Sequence, residues 1–164
     1  MRVISGSFKG KKIFEPKDNK TRPLKDLAKE SIFNIIEHSN KFNAQLIDSN
    51  ILDLFSGVGS FGIECLSRGS KKVVFVENYS GVLPILKKNL SSLNIVKNYE
   101  ILENDIYNDK VLSKLNNKFD IIFLDPPFKD KNLNEFLLKL KSFEILNKNG
   151  VIIIHSHKND NNNF

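Results

Sequence analysis

The chain has 164 residues, 40% of them hydrophobic and 27% charged, with a formal net charge of +6 at neutral pH. That length carries one domain with a real core, and the mixture is that of a globular protein rather than a disordered or fibrous one. Its single cysteine, Cys65, excludes an internal disulfide and, set among apolar residues, reads as a buried thiol rather than a nucleophile.

The opening stretch MRVISGSFKG lacks the apolar segment of a secretion signal, and no apolar run approaches the ~20 residues of a membrane span, so a cytoplasmic protein is expected. Residues 2–14 (RVISGSFKGKKIF) alternate in polarity and carry Gly6 and Gly10, which predicts a short Lys-rich β-hairpin. A polar connection over 15–22 ends in Thr21-Arg22-Pro23. The stretch LKDLAKESIFNIIEH then spaces Leu24, Leu27, Ala28, Ile32, Ile35 and Ile36 as one face of a helix opened by the proline. Residues 1–30 hold nine Lys or Arg against four Asp or Glu, a surplus of +5 that is nearly the whole net charge. A basic face of this kind suits a polyanion; a generally Lys-rich composition is the plainer reading.

From residue 50 short apolar runs alternate with helical stretches. Strands are expected near 50–55, 72–77, 99–103, 119–124 and 150–155, and helices near 60–68, 80–92, 106–116 and 131–142. Runs apolar on both faces and separated by helices imply an α/β fold with a parallel sheet covered on two sides. Right-handed crossovers put the carboxyl ends of the strands on one edge, where such folds bind ligands. The chain divides into a basic hairpin and helix (1–40), a core (41–157) and a polar, Asn-rich tail (158–164) expected to be disordered.

Unusual residues collect at that carboxyl edge. The first strand runs into Asp53-Leu54-Phe55-Ser56 and then Gly57-Val58-Gly59-Ser60-Phe61-Gly62, a G-x-G-x-x-G between strand and helix. The second strand ends in Glu77, placed to accept both hydroxyls of a ribose. Asn104-Asp105 follow the third strand and Asp125-Pro126-Pro127-Phe128 the fourth. Four acids at one edge favour a nucleoside site. A dinucleotide would bring its pyrophosphate to the glycine loop, close to Asp53. At ~6 Å and an effective dielectric of ~20, that repulsion is on the order of 2–3 kcal/mol. S-adenosylmethionine avoids it: it has a ribose for Glu77, a base near Asp105 and an ammonium for Asp53, and no phosphate.

The Asp-Pro-Pro-Phe turn would stand beside the methyl donor. An exocyclic amine on a base is a poor nucleophile and needs acceptors for its two N–H groups. Asp125 offers a carboxylate oxygen and Pro126 a carbonyl, the prolines stiffen the turn, and Phe128 offers a stacking face. Transfer would then rest on alignment with the sulfonium and on Asp125 as proton acceptor.

The D-P-P-F after strand four, with D-L-F-S-G-V-G-S-F-G after strand one, resembles the amino-directed (N6-adenine or N2-guanine) methyltransferases. The R-V-I-S-G-S-F-K-G-K-K, T-R-P and K-E-S-I-F-N of residues 2–34 are similar to the bacterial 16S rRNA guanine-N2 methyltransferases of the guanine-966 type, and the resemblance runs from about residue 1 to 155. It implies a Rossmann-like class I methyltransferase fold, a monomer, S-adenosylmethionine as cofactor and 16S rRNA, within or outside the small subunit, as partner. It implies Asp53, Phe55, Gly57 and Gly59 around the methionine part of the donor, Glu77 at the ribose, Asn78 and Asp105 at the adenine, and Asp125 to Phe128 around the target guanine. Arg2, Lys9, Lys11, Lys12 and Arg22 would contact RNA. The chain departs from the family in reading Arg22-Pro23-Leu24 where R-P-T is usual. The family fold also continues past strand five into a β-hairpin, so the residues after Gly150 are expected to leave strand five as an exposed edge. His155 and His157 read as surface histidines and no metal is expected. Three other readings stay open: an N6-adenine methyltransferase, an NAD-type oxidoreductase and a non-catalytic RNA-binding module.

Overall fold

A computed structural model describes residues 1–18, 24–41, 43–94, 98–115, 117–127 and 130–156. Arg22, Phe128, His157 and the tail fall outside the described residues. The elements follow the order α1 (Asp26–His38), β1 (Asn50–Leu54), α2 (Ser60–Ser67), β2 (Lys72–Glu77), α3 (Leu83–Ser91), β3 (Tyr99–Glu103), α4 (Asp109–Leu112), β4 (Phe119–Leu124), α5 (Leu133–Ser142) and β5 (Leu146–Ile154). The five strands form a sheet in the order β3-β2-β1-β4-β5, and every pair is parallel. Strand order reverses between β1 and β4, so the loops after these strands open a crevice at the carboxyl edge.

Alternation along the strands splits the core into two layers. Ile51, Val73, Phe75, Ile121 and Phe123 face one side and pack with α1, α2 and α3. Leu52, Leu54, Val74, Val76, Ile122 and Leu124 face the other and pack with α4 and α5. On the first side Phe61 stacks between Phe33 (5.1 Å) and Phe123 (3.9 Å). All three rings are buried, each worth roughly 1.5–3 kcal/mol of removed apolar surface. This stack ties α1 to α2 and the sheet.

Four features differ from the sequence reading, each for a local reason. The expected hairpin is a ribbon with one antiparallel bridge, Arg2 to Lys12, because residues 6–10 coil into a turn in which Lys9 N–H bonds Gly6 O and Lys11 N–H bonds Phe8 O. In α1 the buried face is Lys29, Phe33 and Ile36, while Leu27 and Ile35 stand exposed. The expected helix at 106–116 shrinks to α4. Asp105 Oδ1 accepts from Tyr107 N–H in an Asx turn, and Asn108 then caps the helix by accepting from Lys110 N–H. β5 begins four residues early, at Leu146, and carries an irregularity opposite Phe119 to Ile121. Asp120 organises that irregularity: it accepts from Asn147 Nδ2 (2.6 Å) and from the Asn50 N–H (2.8 Å).

The ribbon is seated by a buried ionic cluster. Glu64 on α2 is fully buried and accepts from the N–H groups of Ile4 and Ser5, both at 2.8 Å. Arg68 Nε donates to it at 3.0 Å, and Lys29 Nζ lies 3.7 Å away. Lys29, also fully buried, donates to Arg2 O at 2.6 Å, and burial lowers its pKa against the pull of Glu64. Cys65 is buried as expected, and burial pushes its thiol pKa well up.

Candidate active site

A cleft of about 970 Å³ opens at the carboxyl ends of β1, β2, β3 and β4. Four acids that follow or end those strands, Asp53, Glu77, Asp105 and Asp125, all line it, as do Phe55, Gly57, Asn78, Pro126 and Pro127. Three more acids join them: Glu15 and Asp18 from the segment after the ribbon, and Asp130 from the loop after β4. Among the described residues no Lys or Arg lines the cleft. In a chain of net charge +6 this is a strong local inversion of sign.

Each acid is held by its own local structure. Glu77 ends β2 and turns back across the glycine loop. Its Oε2 accepts from Gly57 N–H at 2.8 Å, and its Oε1 accepts from Asn78 N–H (2.9 Å) and Tyr79 N–H (2.8 Å). Oε1 thus has both lone pairs engaged, and Oε2 keeps one for a further donor. Asp53 sits on the central strand at 1% exposure, with Oδ2 accepting from Gly62 N–H at 3.0 Å. Its pKa is raised well above the ordinary carboxyl value, chiefly by burial, with Asp125 and Glu77 adding repulsion against the one backbone bond. A cation placed between these three acids would relieve that strain.

The glycines divide by role. Gly57 lines the cleft and gives its N–H to Glu77. Gly59 does not line the cleft. It stands behind the loop at φ +83°, where an added Cβ would meet a Leu86 methyl at 2.6 Å. Gly62, the third glycine, lets α2 approach β2 so closely that a Cβ would meet the Phe75 ring at 2.3 Å. Phe55 adopts φ +58°, a strained value for an aromatic residue, and so turns the loop after β1 into the cleft.

Tyr107, Tyr79 and His155 were not anticipated. Tyr107 packs edge-on against Phe55 (6.0 Å between centroids), and its hydroxyl donates to Asp130, bridging the loops after β3 and β4. Burial and that carboxylate push its pKa up. Tyr79 donates to Asp18 Oδ2 at 3.0 Å, joining the loop after β2 to the N-terminal segment. His155 follows β5, and its Nδ1 lies 2.8 Å from Asp125 Oδ1. Its side chain is 26% exposed, so it is a partnered edge residue rather than a plain surface histidine. Register is the signal that could have found it. Leu124 pairs with Ile154, so the next residues of the two strands are neighbours.

Four of the five expected RNA contacts, Arg2, Lys9, Lys11 and Lys12, lie on the ribbon and do not line the cleft. All four are exposed. Arg2 Nε is 3.9 Å from Asp26, and Lys11 Nζ donates to Ser92 O at 3.0 Å. Among the described residues no cluster of His, Cys, Asp or Glu is arranged to hold a metal ion, and no helix is long and apolar enough to cross a membrane.

Comparison with known proteins agrees with this geometry. The family model described as "Conserved hypothetical protein 95" matches residues 1–163. "Putative rRNA methyltransferase YlbH" of Bacillus subtilis is 36% identical over 156 residues, covering 93% of this chain and 80% of its own. "Ribosomal RNA small subunit methyltransferase D" of Haemophilus influenzae is 33% identical, covering 96% of this chain and 79% of its own. The solved structure of "Putative methyltransferase yhhF from Escherichia coli" superposes with a TM-score of 0.79 at 28% identity, covering 95% of this chain and 80% of that one. With five parallel strands, a glycine loop after β1 and Asp-Pro-Pro after β4, the chain belongs to the Conserved hypothetical protein 95 family, whose relatives here include small-subunit ribosomal RNA methyltransferases D.

Proposed function

We propose that the protein transfers a methyl group from S-adenosylmethionine to the exocyclic N2 of a guanine in small-subunit ribosomal RNA. The observation that carries this reading is the convergence of Asp53, Glu77 and Asp125 in a cleft that no Lys or Arg lines among the described residues. A ligand with a pyrophosphate meets repulsion there, which counts against a nicotinamide dinucleotide. A ligand with an ammonium, a sulfonium and a ribose is complementary. The relatives' names support RNA as the acceptor.

The donor supplies an activated methyl group on sulfur. The protein's part is to bind, orient and accept. Glu77, held open by three backbone N–H groups, takes the ribose hydroxyls. Asp53 holds the donor's ammonium and is thereby favoured as the carboxylate. Asn78 and Asp105 stand at the adenine end, where the loop after β2 meets the loop after β3. Asp125 and the Pro126 carbonyl accept from the two amine N–H groups, which localises the nitrogen lone pair toward the methyl group, and Asp125 is the acceptor for the proton that leaves. Phe128, beyond the described residues, is the proposed stacking face. The exposed cations of the ribbon contact phosphates.

The test is transfer of labelled methyl to 16S rRNA, naked and within small subunits that lack the modification, followed by nucleoside analysis of the product. N2-methylguanosine is the expected product. N6-methyladenosine would move the acceptor to adenine. Absence of transfer to either RNA, with the donor bound, would leave only an RNA-binding role.

A further inference from the structure

We infer that His155 is a positioning residue for methyl transfer: its imidazole fixes the Asp125 carboxylate through Oδ1 and leaves Oδ2 to accept from the exocyclic amine of the target base. The inference rests on the functional reading above and adds to it a residue from the strand next to the turn.

Most carboxylates of this cleft are held by backbone N–H groups. Asp53 accepts from Gly62 N–H, Glu77 from three N–H groups and Asp105 from Tyr107 N–H. A carboxylate after a strand ordinarily finds such a partner on the second residue ahead, in an Asx turn. Asp125 has no such partner there. The next two residues are Pro126 and Pro127, which carry no amide N–H. The feature that stiffens the turn also removes the usual means of orienting its acid.

His155 fills that gap. β5 pairs with β4 so that Leu124 lies opposite Ile154, and His155 N–H bonds Leu124 O at 2.9 Å. The backbone of His155 is therefore fixed to the last residue before Asp125. Its Nδ1 then stands 2.8 Å from Asp125 Oδ1, with 17% of the Asp125 side chain and 26% of the His155 side chain exposed. An ionised carboxylate can only accept, so Nδ1 carries the hydrogen and donates. Holding one oxygen sets the rotation of the carboxyl group and aims the other. This is a distinct demand of the chemistry: the amine must be held so that its lone pair, not an N–H, faces the methyl group.

The experiment measures single-turnover transfer of labelled methyl to small subunits lacking the modification, for wild type, His155→Leu and His155→Asn. Donor dissociation constants and the KM for the subunit are measured alongside. Leucine removes the donor, whereas the asparagine amide can place an N–H where Nδ1 stands. His155→Leu is expected to slow transfer on the order of 10- to 100-fold, the scale of misplaced reacting groups, with donor affinity and KM unchanged. His155→Asn is expected to recover most of the rate. In an Asp125→Asn background, His155→Leu is expected to cost nothing further, because the two act as one unit. A wild-type rate in His155→Leu would overturn the inference, as would an asparagine variant as slow as the leucine one or an undiminished loss in the Asp125→Asn background. Loss of donor binding in His155→Leu would make the contact structural and overturn it too. A wild type that binds donor but methylates no subunit would overturn the functional reading, and the inference with it.

Discussion

In the cleft, Asp53, Glu77 and Asp105 each accept a hydrogen bond from a backbone N–H, whereas Arg2, Lys9, Lys11 and Lys12 on the ribbon stand exposed. The two regions carry opposite charge and fix it differently. A small ligand must be bound in one geometry, so its carboxylates are set by the strand ends and the loops between them. A polyanion is bound by many weak, screened contacts, so long mobile side chains suffice. The difference teaches where precision is located in this molecule: at the carboxyl edge, not on the ribbon. The ribbon is joined to α2 by the buried Glu64, which accepts from two ribbon N–H groups and pairs with Arg68 and Lys29.

The largest expected effect is at that joint. Glu64→Ala removes the buried carboxylate that Arg68 and the buried Lys29 share, leaves Arg68 with Glu37 and Lys29 with a distant Asp26, and leaves two ribbon N–H groups without their acceptor. It is expected to destabilise the fold by about 3–5 kcal/mol, the usual cost of halving a buried ion pair, measured by urea unfolding. Retention of wild-type stability would mean that the ribbon is not held through Glu64.

Within the cleft, Asp125→Ala is expected to cut methyl transfer by at least ~100-fold with donor affinity nearly intact. If turnover survives near the wild-type rate, the Asp-Pro-Pro turn only ends a strand. Glu77→Ala is expected to weaken donor binding by roughly 1–3 kcal/mol, the value of charge-assisted hydrogen bonds. An unchanged dissociation constant by calorimetry would remove Glu77 from the ribose.

Asp53 sharpens the contrast through pH. Burial and its acidic neighbours raise its pKa in the folded protein, so the folded state binds a proton that the unfolded state has lost. Its contribution to stability is therefore present at low pH and declines as pH rises from the unfolded carboxyl value toward the folded one. A bound ammonium reverses the preference and expels the proton. Donor binding is expected to release protons and to strengthen as pH rises through this range, and Asp53→Asn should abolish both effects. Calorimetry in two buffers of different ionisation enthalpy measures the release.

The smallest effect belongs to the ribbon. Neutralising Lys9, Lys11 and Lys12 together is expected to flatten the salt dependence of RNA binding by about two to three units of slope, at ~0.7–0.9 per phosphate contact. Donor binding should not change. A salt slope equal to wild type would mean that this face of the ribbon does not meet RNA.

The parallel sheet and the row of acids along its carboxyl edge were legible in the residues alone. Runs such as IIFL and VVFV are apolar on both faces, which only a strand covered on two sides can accept, and an acid at or near the end of each of the first four strands needs no tertiary knowledge to place. Helix limits were less legible where side chains compete with the backbone, as Asp105 and Asn108 do in delaying α4. Which residues meet across elements was not legible and follows from packing. Lys29 shares a helical face with Phe33 and Ile36, yet its burial depends on Glu64, 35 residues away and on another helix. Glu15 and Asp18 enter the cleft wall because the ribbon docks on α2. His155 meets Asp125 because β5 lies beside β4 in the register that sets Ile154 opposite Leu124. Strand alternation is a local property of the chain, written in each residue and its neighbours. Pairing order, register and the partners of buried charges depend on how separate segments pack, and that is settled by the free energy of the whole fold.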